Sequence, residues 1–181
     1  MKRSRQRQAR GAHFLAEGPI ILWVMLFFIF VPLLDFGAVF FRSTFLYMAV
    51  HNAARNAAKS RSFLNDLSGE LSATNMANST VSSVIGMWSG VSVSSVLTQI
   101  VVTDINTDVV SYLDNPLPPT APADDSKNTY QIQVTVTGTV APLFIFNMPW
   151  FVSGGVPGLT KVMNVTMSDR QYCENPQGLI L

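Results

Sequence analysis

The sequence predicts an α+β fold in which one long N-terminal transmembrane helix extends into a small antiparallel-sheet domain. The first observation is an apolar block at residues 18–41, which holds a single charge in 24 residues. A helix of that length is roughly 36 Å long and exceeds the hydrocarbon core of a bilayer, which is about 30 Å thick. The second observation is a pair of later segments in which apolar and polar residues alternate, as in half-buried strands. An ordinary soluble enzyme is therefore not expected.

The charges around the apolar block predict its orientation. Five basic residues precede it with Glu17 as the only acid, whereas seven basic and nine acidic residues follow from Arg42 onward. The positive-inside rule therefore places the N-terminus in the cytoplasm and the later domain across the membrane. The predicted organisation is a basic cytoplasmic leader at 1–17, a transmembrane helix at 18–41, an extracytoplasmic helix extension at 42–68 and an α+β extracytoplasmic domain at 69–181.

The leader contains a candidate processing site. Gly11 and Ala12 directly follow the basic run, and Glu17 stands just before the apolar block. This layout resembles that of type IV prepilins, whose peptidase cuts after the glycine and leaves the helix in place. Glu17 would be the sixth residue of the processed chain, whereas the prepilin glutamate is the fifth, so cleavage and retention of the leader are both open. A removable secretory signal is disfavoured because its apolar region is shorter, about 7–15 residues.

Two acids bracket the predicted membrane helix. Glu17 and Asp35 are 18 residues apart, which is five full turns of a straight helix, so both project from one face. Carboxylates within a membrane are costly and usually face protein or water. One interpretation is that they direct packing against other helices, and the other is that they mark the two headgroup regions. Pro32 makes the straight-helix argument approximate.

The helix is predicted to continue past the membrane. Residues 42–67 are mostly good helix formers, and a cluster of alanines that includes Ala53, Ala54 and Ala57 would allow close approach of a sheet or another helix. Gly69 is a plausible end. A short second helix is predicted around 76–88.

Strands are predicted from β-branched runs and alternation. A β-branched run at 97–105 indicates one strand, and alternation indicates two more, at 129–140 and 159–168. Each alternating strand has one apolar and one polar face, which predicts an antiparallel sheet with one solvated side. The proline-rich stretch 115–127 is predicted to be an exposed loop.

The connection at 142–152 is unusually apolar. It is too short to cross a membrane as a helix, and Pro149 interrupts it. It would either fold back over the core or form an exposed patch that docks on a partner subunit or on the outer leaflet. The candidate partner surface consists of Phe144, Phe146, Trp150 and Phe151.

Several short motifs then follow one another in order. They are Glu17, Pro19, Pro32, Asp35-Phe36-Gly37, the alanine-rich stretch 51–58, Val134-Thr135-Val136-Thr137, Pro142-Leu143 and Pro157-Gly158-Leu159-Thr160. This order resembles the TadE-like family, the minor-pilin-type proteins of tight-adherence (Tad, Flp) pilus systems. The resemblance covers residues 11–60 well and 130–170 loosely, and an aspartate stands at position 35 where the family usually has glutamate.

The resemblance implies a pilin-like subunit that acts by membrane anchoring and subunit packing in pilus assembly, adhesion or secretion. Its expected partners are the lipid bilayer, other pilins or pilus-assembly proteins, and a prepilin peptidase, with no nucleic acid. Its expected location is the inner membrane, as a single-pass protein with a periplasmic or cell-envelope domain, or the pilus itself. Helix packing would involve Glu17, Asp35, Phe36, Gly37, Ala53, Ala54 and Ala57.

Catalytic chemistry is not expected. The sequence has no HExxH motif, nucleophile elbow, phosphate loop or metal-spaced Cys/His set, so no catalytic, cofactor-binding or metal-binding residue is predicted. Cys173 is the single cysteine, which excludes an intrachain disulfide. The alternative function is a permanently membrane-anchored envelope sensor or binding domain, which predicts an intact N-terminus.

Overall fold

The protein consists of one long helix, a shorter helix and a four-stranded sheet. The structure, a computed structural model, describes residues 18–145 and 155–180. The elements in chain order are α1 (Gly18–Ala57), α2 (Ala73–Ile85), β1 (Val91–Asp104), β2 (Val110–Leu113), β3 (Asn128–Val140), β4 (Met163–Tyr172) and a 3₁₀ turn (Pro176–Ile180). All neighbouring strands are antiparallel, in the order β2-β1-β3-β4. The predicted α+β layout, with one long apolar N-terminal helix and an antiparallel sheet, is confirmed.

The first half of α1 stands clear of the rest of the molecule. Its length and composition suffice for a membrane span, and its most apolar part is almost entirely exposed. A π-helical turn, Leu26–Phe30, interrupts it, and the Val31 N–H donates to the Leu26 carbonyl. Pro32 follows directly; its missing N–H and its ring disturb the preceding turn, which accounts for the wider turn at this point. The constant angular step behind the alignment of Glu17 with Asp35 therefore does not hold along this helix.

The second half of α1 forms the centre of the core. Its buried residues are Leu46, Ala49, Val50, Ala53, Ala54 and Ala57. Because most of these side chains are methyl groups, α1 approaches the sheet and α2 closely, as the alanine cluster predicts. The helix ends at Ala57, earlier than the predicted extension to 68. The Lys59 and Ser60 N–H groups bond three residues back, and the Ala58 carbonyl accepts from Glu174 instead of continuing the helix.

The sheet packs against α1 and α2. The face of the sheet that is turned toward the helices is the one predicted to be apolar. Alternate residues of β3 are buried, from Tyr130 through Ile132 and Val134 to Val136, and their neighbours are half-exposed. Ile132 pairs with Ile100 of β1, and Val134 pairs with Asp169 of β4. The opposite face is lined mainly by Thr, Ser and Gln.

Element bounds differ from the sequence predictions at several places. Strand β4 begins at Met163 rather than 159 because a turn that includes Gly158, with a φ of 80°, occupies the preceding residues. Strand β1 starts at Val91, six residues before the predicted 97, and α2 begins and ends three residues earlier than predicted. The short strand β2 and the 3₁₀ turn were not predicted. The loop at 115–127 is irregular as predicted, but it is not exposed throughout, because Leu117 and Ala123 are buried in the core.

The two ends of the domain differ. At the proximal end, nearest the exposed half of α1, lie the start of β1, the end of β3 and the turn before β4. At the distal end lie the end of α1, the loop after β1 and the C-terminal 3₁₀ turn, where the Leu117 N–H donates to the Leu179 carbonyl at 2.8 Å.

Candidate functional site at the junction of helix and domain

A buried carboxylate joins the apolar helix to the domain. Asp35 has 0% of its surface exposed. Its Oδ1 accepts hydrogen bonds from the backbone N–H groups of Leu143 and Phe144, each at 3.0 Å. Its Oδ2 is also buried and has no hydrogen-bond partner among the described residues. Asp35 therefore binds a chain segment more than a hundred residues away, immediately after β3.

Arg42 holds the same segment two turns further along α1. Its Nη1 donates to the Ala141 carbonyl at 2.5 Å. Positions 35 and 42 differ by about 20° around a regular helix, so both side chains reach the same side. The guanidinium lies over Gly90, whose φ is 82°, and a β-carbon there would lie 2.5 Å from Cζ of Arg42. We call Asp35, Arg42, Gly90 and residues 141–144 the junction site.

The junction site satisfies every backbone N–H in its connecting segment. The Ala141 N–H donates to the Gly90 carbonyl at 2.8 Å, Pro142 has none, and the next two donate to Asp35. The irregular chain leaving β3 is thus fixed to both α1 and the turn before β1. Buried backbone donors without partners are costly, so these bonds define one position for the segment.

A second loop covers the helix between Asp35 and Arg42. Val39 is 6% exposed, and a β-carbon on Gly158 would lie 3.6 Å from Cγ1 of Val39. The turn is closed by the hydroxyl of Thr160, which accepts from the Val156 N–H at 2.6 Å. The segment after β3 and the turn before β4 thus both contact α1 between Asp35 and Arg42.

Apolar side chains surround the junction site and face outward. These exposed side chains, which we call the apolar rim, are Phe36, Phe40, Phe41, Met87, Trp88, Leu143, Phe144 and Ile145. Trp88 also stacks on Phe45 of α1, with ring centroids 3.7 Å apart. Such a concentration of exposed aromatic and aliphatic groups is typical of a contact with a membrane or another protein.

A polar contact fixes β4 to α1 further from the junction. Nδ1 of His51 and Oδ2 of Asp169 lie 2.9 Å apart. Burial of Asp169 acts to raise its pKa, but hydrogen bonds from the Gln171 and His51 side chains outweigh that effect, and the pKa of Asp169 is lowered. The carboxylate is thus held ionised in the fold.

A cluster of interacting side chains around Arg170 lies on the outer face of the sheet. Nε of Arg170 donates to Gln133 at 2.6 Å, and Nη2 donates to the Tyr112 hydroxyl at 2.5 Å. The guanidinium also lies 5.2 Å from the centre of the Tyr112 ring. The cluster links β2 with β3 and β4, so we assign it to sheet cohesion.

The described residues contain no group of three or more His, Cys, Asp or Glu side chains placed to hold a metal ion. Burial raises the pKa of the Cys173 thiol, which keeps it protonated and lowers its reactivity. At the junction site, the hydrogen bonds of Asp35 and Arg42 connect the helix to the domain.

The predicted site residues lie in four different places. Gly11, Ala12, Glu17, Phe146, Trp150 and Phe151 lie outside the described residues. Asp35 binds the domain of its own chain, whereas Phe36 and Gly37 beside it point away from the core. Ala53, Ala54 and Ala57 lie in the core, and Phe144 lies in the apolar rim, with 53% of its surface exposed.

Sequence reasoning did not identify Arg42, Gly90 or the His51–Asp169 contact as parts of this arrangement. Arg42 was noted only as the end of the apolar block. Arg42 lies seven residues after Asp35, which places both side chains on the same face of a helix. That spacing is a signal that could have indicated a common binding partner for the two residues. Nothing in the sequence marks Gly90 or Asp169 in this way.

Comparison with known proteins gives no further assignment. The chain matches no protein-family model, no curated protein sequence and no solved structure.

Proposed function

We propose that this protein is a minor pilin or pilus-assembly component of a tight-adherence, type IV-like secretion system. The observation that carries the proposal is the continuity of α1, which runs from an exposed apolar half into the core of an antiparallel-sheet domain. A subunit of that form can be held in a membrane by one half of its helix and can present a folded domain with the other. The ordered motifs that resemble the TadE-like family support the same assignment.

The exposed half of α1 provides the assembly surface in this proposal. Every described side chain from position 18 to 30 is exposed, including the large side chains of Leu22 and Ile29. In the inner membrane these groups contact lipid, and during assembly the same groups pack against helices of other subunits. Glu17, at the cytoplasmic end of this surface, would set the register between subunits.

The proposed assembly requires a domain that keeps a fixed position on its membrane helix, and the junction site can supply that rigidity. The bonds from Asp35 and Arg42 to residues 141–144 hold the domain at a fixed position on the helix. When the helix enters a bundle, the domain position is then set by the helix position. Movement into the bundle would be driven by a platform protein and a cytoplasmic ATPase supplied by other chains.

The topology follows from the charges. The basic leader is cytoplasmic and the domain lies in the periplasm or cell envelope, because Lys and Arg precede the span and acids prevail after it. A prepilin peptidase acting on the cytoplasmic side would remove residues 1–11 and leave Ala12 as the new N-terminus.

The test is the intact mass and N-terminal sequence of the protein purified from its native membranes. The proposal predicts a chain that begins at Ala12, and a Gly11→Leu variant should accumulate with its leader attached. A Gly18→Ala variant, which alters a glycine outside the processing site, should be processed normally. Wild-type protein that retains its leader would contradict the processed-pilin mechanism and would favour a permanently anchored sensor or binding domain.

A further inference from the structure

The apolar rim and the junction site lie at one end of the domain, directly around α1. Ile145 is 60% exposed, Phe40 69% and Met87 71%. They come from three different parts of the chain, yet all flank the helix where it leaves the domain. The exposed apolar surface of α1 is therefore continuous with an apolar surface on the domain itself.

Charge is segregated along the same axis. In segments 36–48, 86–96, 138–145 and 155–165, which build the proximal end, the charged residues are Arg42 and Lys161. All acids after Asp35 belong to the middle and distal parts of the domain. An end that carries aromatic and aliphatic groups, two cations and no exposed acid matches a lipid surface better than a polar protein partner.

Helix length places this end at the membrane surface. Asp35 follows Glu17 by 18 residues, a rise of about 27 Å, which is close to the hydrocarbon thickness of about 30 Å. If Glu17 marks the cytoplasmic boundary, Asp35 lies at the outer edge of the hydrocarbon. The segment bound to Asp35 then lies at the same depth.

Irregular backbone at that depth must have its polar groups satisfied within the protein. The N–H groups of segment 141–144 meet this requirement, because each has a protein acceptor, and the Ala141 carbonyl accepts from Arg42. The carboxylate that accepts from Leu143 and Phe144 is itself fully buried, so these bonds do not depend on water and can persist next to lipid.

We propose that the apolar rim is immersed in the outer leaflet of the membrane that α1 spans, so that the domain rests directly on the bilayer. The residues that enter the leaflet are Phe40, Phe41, Met87, Leu143, Phe144 and Ile145. Arg42 and Trp88 lie at the headgroup level, where Arg and Trp are favoured. The proposal rests on the membrane anchoring in the proposed function and adds the depth and orientation of the domain.

The test is spin-label depth measurement on the full chain in phosphatidylethanolamine–phosphatidylglycerol vesicles. With Cys173→Ser as the background, a nitroxide is attached at Ile145→Cys, at Leu22→Cys in the exposed helix half and at Asn106→Cys in the distal turn. The ratio of accessibility to oxygen over a water-soluble nickel chelate reports depth. At Ile145 this ratio should exceed that at Asn106 several-fold and should approach that at Leu22.

Three results would overturn the inference, and they have different meanings. A label at Ile145 as accessible to nickel as that at Asn106, with Leu22 in lipid, removes the immersion and leaves the anchoring intact. A label at Ile145 shielded from both reagents places a protein there instead of lipid. A water-accessible label at Leu22 rejects the membrane span, and with it the proposed function.

Discussion

Asp35 is the residue on which the connection between helix and domain depends. A carboxylate on an apolar helix is expensive to bury unless its oxygens are bonded. Here one oxygen accepts from two backbone donors, and the surrounding loops remove the residue from solvent. Sequence alone identified Asp35 as exceptional, but it pointed toward neighbouring subunits or headgroups. The actual partners are main-chain groups of the same chain, which carry no sequence signature.

Replacement of Asp35 by alanine should weaken the junction. Two partly buried backbone N–H groups lose their acceptor, so we expect destabilisation of about 1–3 kcal/mol, together with faster proteolysis after β3. Thermal unfolding in detergent, followed by circular dichroism, measures the first effect, and limited proteolysis with mass spectrometry measures the second. The control is Asp35→Asn, which keeps an acceptor oxygen and should stay close to the wild type. An Asp35→Ala protein as stable and protected as the wild type would refute this role.

Asp169 should contribute a pH-dependent part of the stability. Its pKa is lower in the folded state than its ordinary value, so the unfolded state binds more protons at low pH. The stabilisation is complete above the ordinary Asp pKa of about 3.9 and is lost as the pH falls through the lowered folded-state value. Asp169→Asn should therefore reduce the loss of stability as the pH falls below about 4.

Urea midpoints of wild type and variant across this pH range measure the effect. Some acid sensitivity should remain in the variant, because hydrogen bonds also lower the pKa of Asp66, Asp104 and Asp124. Identical pH profiles for the two proteins would contradict the assignment.

At the scale of elements, periodic patterns predicted most of the fold. Strand β3 matches its prediction within one residue because its alternation continues along the whole central strand. The end of α1 was misplaced because Ala58, Lys59 and Arg61 are also good helix formers, whereas the Ala58 carbonyl accepts a tertiary bond from the Glu174 N–H instead of continuing the helix. The edge strand β2 was missed because its four residues, Val110–Leu113, give no periodic signal.

The alanine face of α1 should not tolerate larger side chains. Ala53 is 0% exposed and lies in the hydrophobic core, so Ala53→Leu should destabilise the domain by about 1–3 kcal/mol. The matched control, Asn52→Leu, introduces the same side chain at the adjacent exposed position and should have little effect. Chemical unfolding of both variants in detergent tests this difference, and equal stabilities would show that the core has room at Ala53.

We expect that only glycine fits at position 138, because β1 and β3 pair closely there. The register shifts between Val93 and Ser95, and a β-carbon on Gly138 would collide with the backbone carbonyl of Ser92. Gly138→Ala should therefore lower the unfolding midpoint. Gly37→Ala, where nothing lies within 4 Å of the added carbon, should be neutral or slightly stabilising in the helix. A Gly138→Ala variant with wild-type stability would mean that the bulge relaxes without cost.

For the whole molecule, the main feature is an exposed apolar half-helix joined to a domain whose acids after Asp35 lie in its middle and distal parts. Hydropathy and charge predicted this asymmetry between the two ends of the molecule, because both can be summed over any segment of the sequence without knowledge of its contacts. They could not predict how the domain is fixed to the helix, which depends on contacts between Asp35, Arg42 and residues 141–144. The proposed assembly requires the exposed half of α1, which packs against neighbouring subunits. It also requires the junction site, which keeps the domain at a fixed position relative to that helix.

The most direct test of the assembly claim is site-specific photo-crosslinking in the native cells. A benzoylphenylalanine at Phe28, which is 49% exposed on the membrane half of α1, should form a light-dependent adduct with the membrane helix of another pilus subunit, identified by mass spectrometry. The same group at Tyr172, 70% exposed on the distal domain, should not form that adduct. If correctly inserted protein labelled at Phe28 crosslinks only to lipid, the helix serves as an anchor alone and subunit packing through α1 is contradicted.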